Sequence, residues 1–480
     1  MTARVPTALK QGLAYLTGTT ISQLIPAIAS PLLTRIYTPG SFGSFAIVLA
    51  SIGVLAPITC LRYDLAVVLP HDDNTAGQLT VLSLLTNAAI AIIALIVLTF
   101  AHLLRSVDAI RHSLMMLTVA LPIGLLVIGT TSVAQSWAIR ILDFRIQSLA
   151  LICQAIVTVV IQVGCGWLFG SHAWCLVLGL VVGYLASLLA YWPVVRSRLW
   201  PYARNSNSRQ FVLGVARRYV RFPLFTLPYG LVIQVILKGV FFVFAALTTS
   251  DVIGQYALAQ RVIFFPVVTI MAAASQIFFS RASRIADTAQ LTRVVDVLLS
   301  CGPLIVGPIF MIALFFSRNL FVWIFGPDWG PAGQMASILA IPSLARSLTA
   351  WLDRIFDIRG RQFIALILAT TYALISIPAM YVTLRATHNP TVALECFAAI
   401  TVAYHLIWLV VALAVGDFSL SSAAKFAIST VAIAAYMAAV YELCVLFHQE
   451  IGVSIGICIV AMIPLVMFGI GKVRREMHFT

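Results

Sequence analysis

The feature that most restricts this chain is a recurrence of apolar runs. Each is about 20 residues long, the length an α-helix needs to cross a hydrocarbon core of about 30 Å. Fourteen such runs can be read, near 12–33, 43–61, 79–101, 114–137, 148–169, 173–193, 223–247, 255–279, 294–316, 332–351, 363–384, 393–415, 423–447 and 451–471. The second is short, and the tenth is interrupted by Pro342 and Arg346. The runs are continuous rather than alternating, which argues against an outer-membrane barrel. Hydrophobic residues make up 61% of the 480 and charged residues only 10%, against about 25% charged in a soluble domain. The expectation is an all-α polytopic membrane protein with about 14 transmembrane helices.

Lys and Arg fall unevenly on the two sides of these spans. With the N-terminus inside, the inner segments hold 22 of them, including seven from Arg196 to Arg221. The outer segments hold five: Arg35, Arg105, Arg111, Arg318 and Arg385. Lys238, Arg261 and Arg346 lie within spans. Positive charge collects on the cytoplasmic side of membrane proteins, so both termini are expected inside. The same distribution turns the net charge of +14 away from nucleic acid. Thr17, Thr19, Thr20, Ser22 and Gln23 interrupt the first run, which reads as a retained span and not a cleaved signal. The outer loop Ser317–Gly333 contains FVWIFGPDWGPAG, whose aromatics suit an interfacial belt. No outer loop is long enough for a catalytic domain.

An internal repeat divides the chain. TPGSFGSFA (Thr38–Ala46) matches TSDVIGQYA (Thr249–Ala257), with Gly43 falling on Gly254. At the same offset Gln23 falls on Gln234. Both segments are outer turns traversed in the same direction, as in transporters built from parallel repeats. The reading is two pseudo-symmetric six-helix bundles plus two C-terminal helices. Its parts are an N-terminal lobe 1–195, a basic cytoplasmic linker 196–222, a second lobe 223–415, and 416–480 as two added helices with a basic tail.

The candidate chemistry is cationic. Lys238 sits near the middle of the seventh span, with Gln234 one turn before it, and Arg261 lies in the eighth. A charge at that depth costs roughly 2.5–3.5 kcal/mol on insertion scales. Two readings account for it. Either these groups line a cavity that receives an anionic ligand, or the lysine snorkels and bonds backbone carbonyls. Thr19, Gln23, Pro26, Ser30 and Thr34 form one small, polar face of span 1, suited either to a wet cavity or to close helix packing. Pro26, Pro31, Pro223 and Pro228 permit bending in the first helix of each lobe. Arg35 and Arg346 stand at other depths along a path. Arg62 and Asp64 sit at the inner mouth, where a local pair is expected. Intramembrane acids are nearly absent. Glu442 and His405 are the candidates for ion coupling.

Enzyme signatures are missing: there is no Walker loop, GxSxG, HExxH or DxD. His71–Asp72–Asp73 reads as a solvated inner turn, and Asp108, Arg111 and His112 as an outer loop group. The eight cysteines are scattered through apolar runs and read as packing residues, with no disulfide framework or metal site. No cofactor is expected.

Several stretches carry a family resemblance: SPLLTRIYTPGSFGSFAI, LRYDLAVVLP, RYVRFPLF, GQYALAQRVIFFPV with SQIFFSR, and FGPDWGPAGQ followed by GRQ. In this order they resemble the Wzx-type polysaccharide flippases of the multidrug/oligosaccharidyl-lipid/polysaccharide exporter superfamily. The resemblance covers the first 360 residues or so; the last four spans match only in hydropathy. WLDRIFDIRG (Trp351–Gly360) is more charged than that pattern. The resemblance implies a MATE-like fold and translocation of an undecaprenyl-pyrophosphate-linked oligosaccharide across the bacterial inner membrane. It also implies membrane lipids, a polysaccharide polymerase and other glycan-assembly proteins as partners. Two alternatives stay open. One is a cation-coupled drug or metabolite antiporter, weakened by the lack of acidic cavity groups. The other is a non-transporting scaffold of a glycan-assembly complex.

Overall fold

A computed structural model of the protein describes residues 7–104, 108–201, 212–282, 288–419, 421–447 and 451–478. The centre of the basic linker, 202–211, lies outside the described residues, as do the side chains of Asp108, Arg111 and His112. Among the described residues, fourteen helices have 18 residues or more. The first six are α1 (Thr7–Ile36), α2 (Pro39–Thr59), α3 (Asp73–Leu104), α4 (Asp108–Arg140), α5 (Phe144–Phe169) and α6 (Ala173–Ala190). Then come α7 (Leu227–Leu247), α8 (Ser250–Ala282), α9 (Thr288–Phe325), α10 (Gly330–Thr349), α11 (Gln362–Thr387), α12 (Pro390–Val415), α13 (Ser421–Leu446) and α14 (Ile451–His478). Among the described residues, twelve helical segments are long and apolar enough to cross a membrane. This is a multi-pass, all-helical membrane protein. Helices are what a bilayer demands, because each satisfies its own backbone hydrogen bonds away from water.

The helix ends follow from local chemistry. The Thr38 side chain accepts from the Ser41 N–H (3.3 Å) ahead of Pro39 at the start of α2. Asp143 caps α5 through the Ile146 N–H (3.1 Å), and Asn389 caps α12 through Thr391 (3.0 Å). Such caps satisfy N–H groups that have no partner within the helix. Asp72 accepts from the Thr75 N–H (2.7 Å) at the start of α3. The Thr75 side chain and then its backbone hold this carboxyl below the ordinary aspartate pKa. The cap is therefore intact at neutral pH and is lost on acidification. A π-helical turn, Phe222–Thr226, leads into α7 beside Pro223 and Pro228.

The described residues fall into two compact units, one up to Gly254 and one from Gln255. In the first, α5 packs on α1 and α6, α3 packs on α4, and α2 packs on α4 and α7. The α5–α6 seam depends on small residues. A Cβ added at Gly179 would stand 2.5 Å from Cγ of Gln162, and one at Gly183 would overlap Thr158. Gln162 then donates to the Leu176 carbonyl (2.9 Å) and accepts the Tyr37 hydroxyl on its own carbonyl (2.6 Å). Near the end of α4 Trp137 is fully buried and donates to Thr80 (2.8 Å). Arg140 and Arg198 lie 5.5 and 5.7 Å from its ring centroid. Both arginines also bond Asp73, at 3.1 and 2.7 Å, so the His71–Asp73 turn is pinned as well as solvated.

In the second unit α9 packs on α10, α13 and α14, and α12 packs on α10 and α11. Ser422 donates to Asp296, and Lys425 pairs with the same carboxylate at 2.6 Å, tying α13 to α9. Gln255 donates to the Asp328 carbonyl (2.7 Å) and accepts from the Ala332 N–H (2.9 Å). The aromatic belt expected of this turn is only partly realised. Trp323 is exposed, whereas Trp329, Phe321 and Phe325 are buried, because the turn folds back onto α9 and α10. The charged WLDRIFDIRG stretch buries Trp351, Leu352, Ile355 and Phe356. Its Arg359 donates to the Gly416 carbonyl (3.1 Å) and pairs with Asp417 (3.3 Å).

Because no side chain fits at Gly183, Gly183→Leu is expected to destabilise the protein by about 1–3 kcal/mol, the usual cost of overpacking. Gly164→Leu, at a site on α5 with nothing within 4 Å, should leave thermal unfolding in detergent nearly unchanged.

Candidate functional site

In the first unit α7 is apolar apart from Gln234 and Lys238. Both lie against one spot on α2. A Cβ at Gly53 would stand 3.3 Å from Cε of Lys238 and 3.7 Å from Oε1 of Gln234. Glycine there leaves room for the lysine stem. The ammonium is half-buried, with Nζ 5.7 Å from the Phe241 ring centroid, a weak cation–π contact. Among the described residues no carboxylate lies within the 4.0 Å of an ion pair with Lys238. Phe241 offers a polarisable face but no counter-charge.

After α2 the expected Arg62–Asp64 pair is not made. Arg62 takes a left-handed backbone conformation (φ 63°) between α2 and the short helix Tyr63–Ala66. This sends its guanidinium toward α7, where a Cβ at Gly230 would stand 2.5 Å from Nη2. Asp64 is buried and instead accepts the Ser132 hydroxyl on α4 at 2.5 Å. The Arg62 Nε is buried with no hydrogen-bond partner among the described residues.

At the opposite end the repeated segments touch each other. A Cβ at Gly43 would overlap the Ser250 carbonyl, and one at Gly254 would overlap the Pro39 carbonyl. The two glycines aligned by the repeat are thus the two that a reciprocal backbone crossing requires. On α1, Ser30 and Thr34 are buried and donate to the Pro26 and Pro31 carbonyls (2.7 and 3.1 Å). For these two residues the structure shows burial and hydrogen bonds to carbonyls of α1 itself. Gln23 is half-buried on α1, and Arg35 is exposed at its end.

The second unit holds the other candidates. Arg261 is half-buried on α8. The guanidinium of Arg346, on α10, lies 4.9 Å from the Phe264 ring centroid and interacts electrostatically with Tyr372, Tyr404 and His405. Tyr372 stacks on Tyr404 (4.3 Å between centroids, 23° between planes), and its hydroxyl meets Thr401 at 2.7 Å. His405 is buried, with Nδ1 3.1 Å from the Thr349 hydroxyl. Glu442 is exposed on α13. Gly53, Ser132, Thr349, Tyr372 and Tyr404 were not singled out from the sequence. For Tyr404 and His405 the signal was present: Thr401/His405 and Tyr404/Trp408 are pairs four apart, on neighbouring stripes of α12. Among the described residues no three His, Cys, Asp or Glu side chains gather as metal ligands would.

The helical architecture is shared with solved membrane transporters. It is similar to that of "Lipid II flippase MurJ, inward closed conformation", with 11% identity, 97% of this chain and 99% of that chain covered, and a TM-score of 0.76. An inward-facing multidrug resistance MATE family transporter of the MOP superfamily matches with 12% identity, 82% and 94% coverage, and a TM-score of 0.63. A MOP superfamily transporter from Pyrococcus furiosus matches with 13% identity, 87% and 95% coverage, and a TM-score of 0.56. The class defined is a polytopic membrane protein with the MOP-superfamily fold. Residues 32–334 also match the family model described as "Polysaccharide biosynthesis protein", and this chain belongs to that family. No curated protein sequence matches it.

If Lys238 faces water, its position should be reachable by a polar reagent. In a chain whose eight native cysteines are replaced, Lys238→Cys should react readily with a charged methanethiosulfonate. Ile428→Cys, exposed on the apolar helix α13, should react far more slowly, because lipid covers it. Equal protection of both would show that Lys238 lies in a dry contact.

Proposed function

We propose that this protein is a flippase. It moves an undecaprenyl-pyrophosphate-linked oligosaccharide, an O-antigen, exopolysaccharide or capsule repeat, from the inner to the outer leaflet of the bacterial cytoplasmic membrane by alternating access. The observation that carries this reading is Lys238. It is a cation at the middle of an apolar helix, with no carboxylate partner among the described residues, in a chain of a polysaccharide biosynthesis family. A fold shared with a lipid II flippase supports the same reading.

In this proposal the fourteen helices are all membrane spans. Residues 1–195 and 223–415 form two pseudo-symmetric six-helix lobes, 196–222 is the cytoplasmic linker, and 416–480 adds two helices and a basic tail. Both termini are cytoplasmic. Lys238 and Arg261 hold the pyrophosphate, Gln23 and Gln234 contact sugar hydroxyls, and Arg35 and Arg346 extend the positive path. Arg62 and Asp64 stand at the inner mouth, and Glu442 and His405 are assigned to ion coupling. The lipid tail stays in the bilayer. A polysaccharide polymerase and other glycan-assembly proteins receive the product.

Charge also supplies a driving force. Each negative charge moved outward across an inside-negative membrane gains ~2.3 kcal/mol per 100 mV. A pyrophosphate with about two charges gains roughly 4–5 kcal/mol per 100 mV by the same relation. The emptied cationic site is then drawn back inward.

The deciding measurement is which leaflet holds the lipid-linked unit, read with a probe confined to the periplasm. Deleting the gene should leave the unit on the cytoplasmic side. Wild type should restore its exposure, and Lys238→Ala/Arg261→Ala at equal protein level should not. Normal exposure of the unit in the deletion strain, with only polymerisation lost, would instead point to a scaffold. Full transport by the double variant would remove these two residues from the site.

A further inference from the structure

The first unit contains a groove that the proposed transport path does not use. It lies between α2, α4 and α6, at the end away from the arginine-rich segment that begins at Arg196, and it measures about 790 Å³. Ligand sites of small molecules span about 300–1,000 Å³. The body of the groove is hydrocarbon: Val119, Ala120 and Ile123 of α4 face Val177, Leu178 and Val181 of α6. Val119, Ile123 and Leu178 are 58%, 44% and 40% exposed, so the groove opens sideways. Its three helices are all apolar enough to cross a bilayer. A side opening lined by hydrocarbon suits an acyl chain.

One end of the groove is polar, and it is built. The Thr38 N–H donates to the Ser171 hydroxyl (2.8 Å), and the Ser41 hydroxyl donates to the Ser171 carbonyl (2.8 Å). His172 and Trp174 stack beside them, with 6.4 Å between centroids and 17° between planes. Such rings mark the interfacial level of a membrane protein. A carboxylate stands just behind this lining. Asp251 brings Oδ1 to 3.1 Å from where a Cβ of Gly40 would lie, and Gly40 and Ser250, the residue before Asp251, both line the groove. Asp251 makes no ion pair among the described residues. No Lys or Arg lines the groove.

We propose that this groove binds a zwitterionic aminophospholipid. One acyl chain lies along α4 and α6, and the headgroup ammonium sits at Asp251 among the rim hydroxyls. Charge selects this occupant. A carboxylate that makes no ion pair, beside a groove lined by no Lys or Arg and with His172 as its one basic side chain, attracts an ammonium and repels the headgroup of an anionic phospholipid or of a polyprenyl pyrophosphate. The site is therefore a lipid site separate from the one that would hold a transported anion. The assignment rests on the groove and not on the transport proposal.

The test uses the full-length protein reconstituted with equal amounts of phosphatidylethanolamine and phosphatidylglycerol, and native mass spectrometry of the lipids it retains. Wild type should keep phosphatidylethanolamine several-fold over phosphatidylglycerol. Asp251→Asn should remove the preference, and Asp251→Glu should restore it. Ala120→Trp, which fills the groove, should lose the retained lipid. Leu374→Trp, exposed on α11, should keep it. Unchanged thermal unfolding of Asp251→Asn separates loss of the ligand from loss of the fold. Equal retention of both lipids by wild type, preference for phosphatidylglycerol or an added polyprenyl phosphate, or full retention by Ala120→Trp would each overturn the proposal.

Discussion

Close backbone approach is the constraint on which the rest of this molecule depends. In a bilayer, helices gain little from hydrophobic contact with each other, because lipid chains are as apolar as leucine. What holds them is van der Waals packing between small residues, with hydrogen bonds added across the seam. The α5–α6 seam is made this way, by Gly179, Gly183 and the carboxamide of Gln162. On α2, Gly53 leaves room for the stem of Lys238 and the carboxamide of Gln234, which meet there. The reciprocal crossing at Gly43 and Gly254 is a close backbone approach, and a single Cβ at either would meet a carbonyl and push the two segments apart.

Charge is handled by position. Near two helix starts, carboxylates find partners: Asp73 bonds two arginines, and Asp296 bonds Ser422 and Lys425. Buried Asp64 is satisfied by a hydroxyl, not a cation, which leaves Arg62 free to turn toward α7. Deeper in the helices the balance changes. Lys238 and Arg346 rest against aromatic rings, and a ring face attracts a cation without cancelling its charge. The transport proposal takes the absence of a carboxylate beside Lys238 among the described residues as its centre.

Much of the architecture was legible in one dimension, because the bilayer imposes a length on every span. The apolar runs correspond to the long helices, and Pro39 and Pro390 mark the starts of α2 and α12. The repeat around Gly43 and Gly254 was visible as a pattern, but its meaning as a contact was not. Glycine in a sequence does not say which carbonyl it approaches. The same gap hid the partners of Asp64 and the site of Trp329. Arg62 lies two residues from Asp64, yet its left-handed backbone points the two side chains apart. Trp329 belongs to an aromatic outer turn, yet that turn folds inward.

By itself, then, the sequence determined the helical class, the long apolar segments, the uneven placing of Lys and Arg between them, and the presence of cations inside them. These follow from composition and spacing, since hydropathy and charge act at each position separately. The tertiary structure alone decided which glycines serve as contacts, that Lys238 and Gln234 lie beside Gly53 of α2, and that Arg346 joins the Tyr372, Tyr404 and His405 cluster. It alone opened the groove between α2, α4 and α6. Such features depend on residues far apart in the chain meeting at a few ångströms, and steric fit between helices sets those meetings.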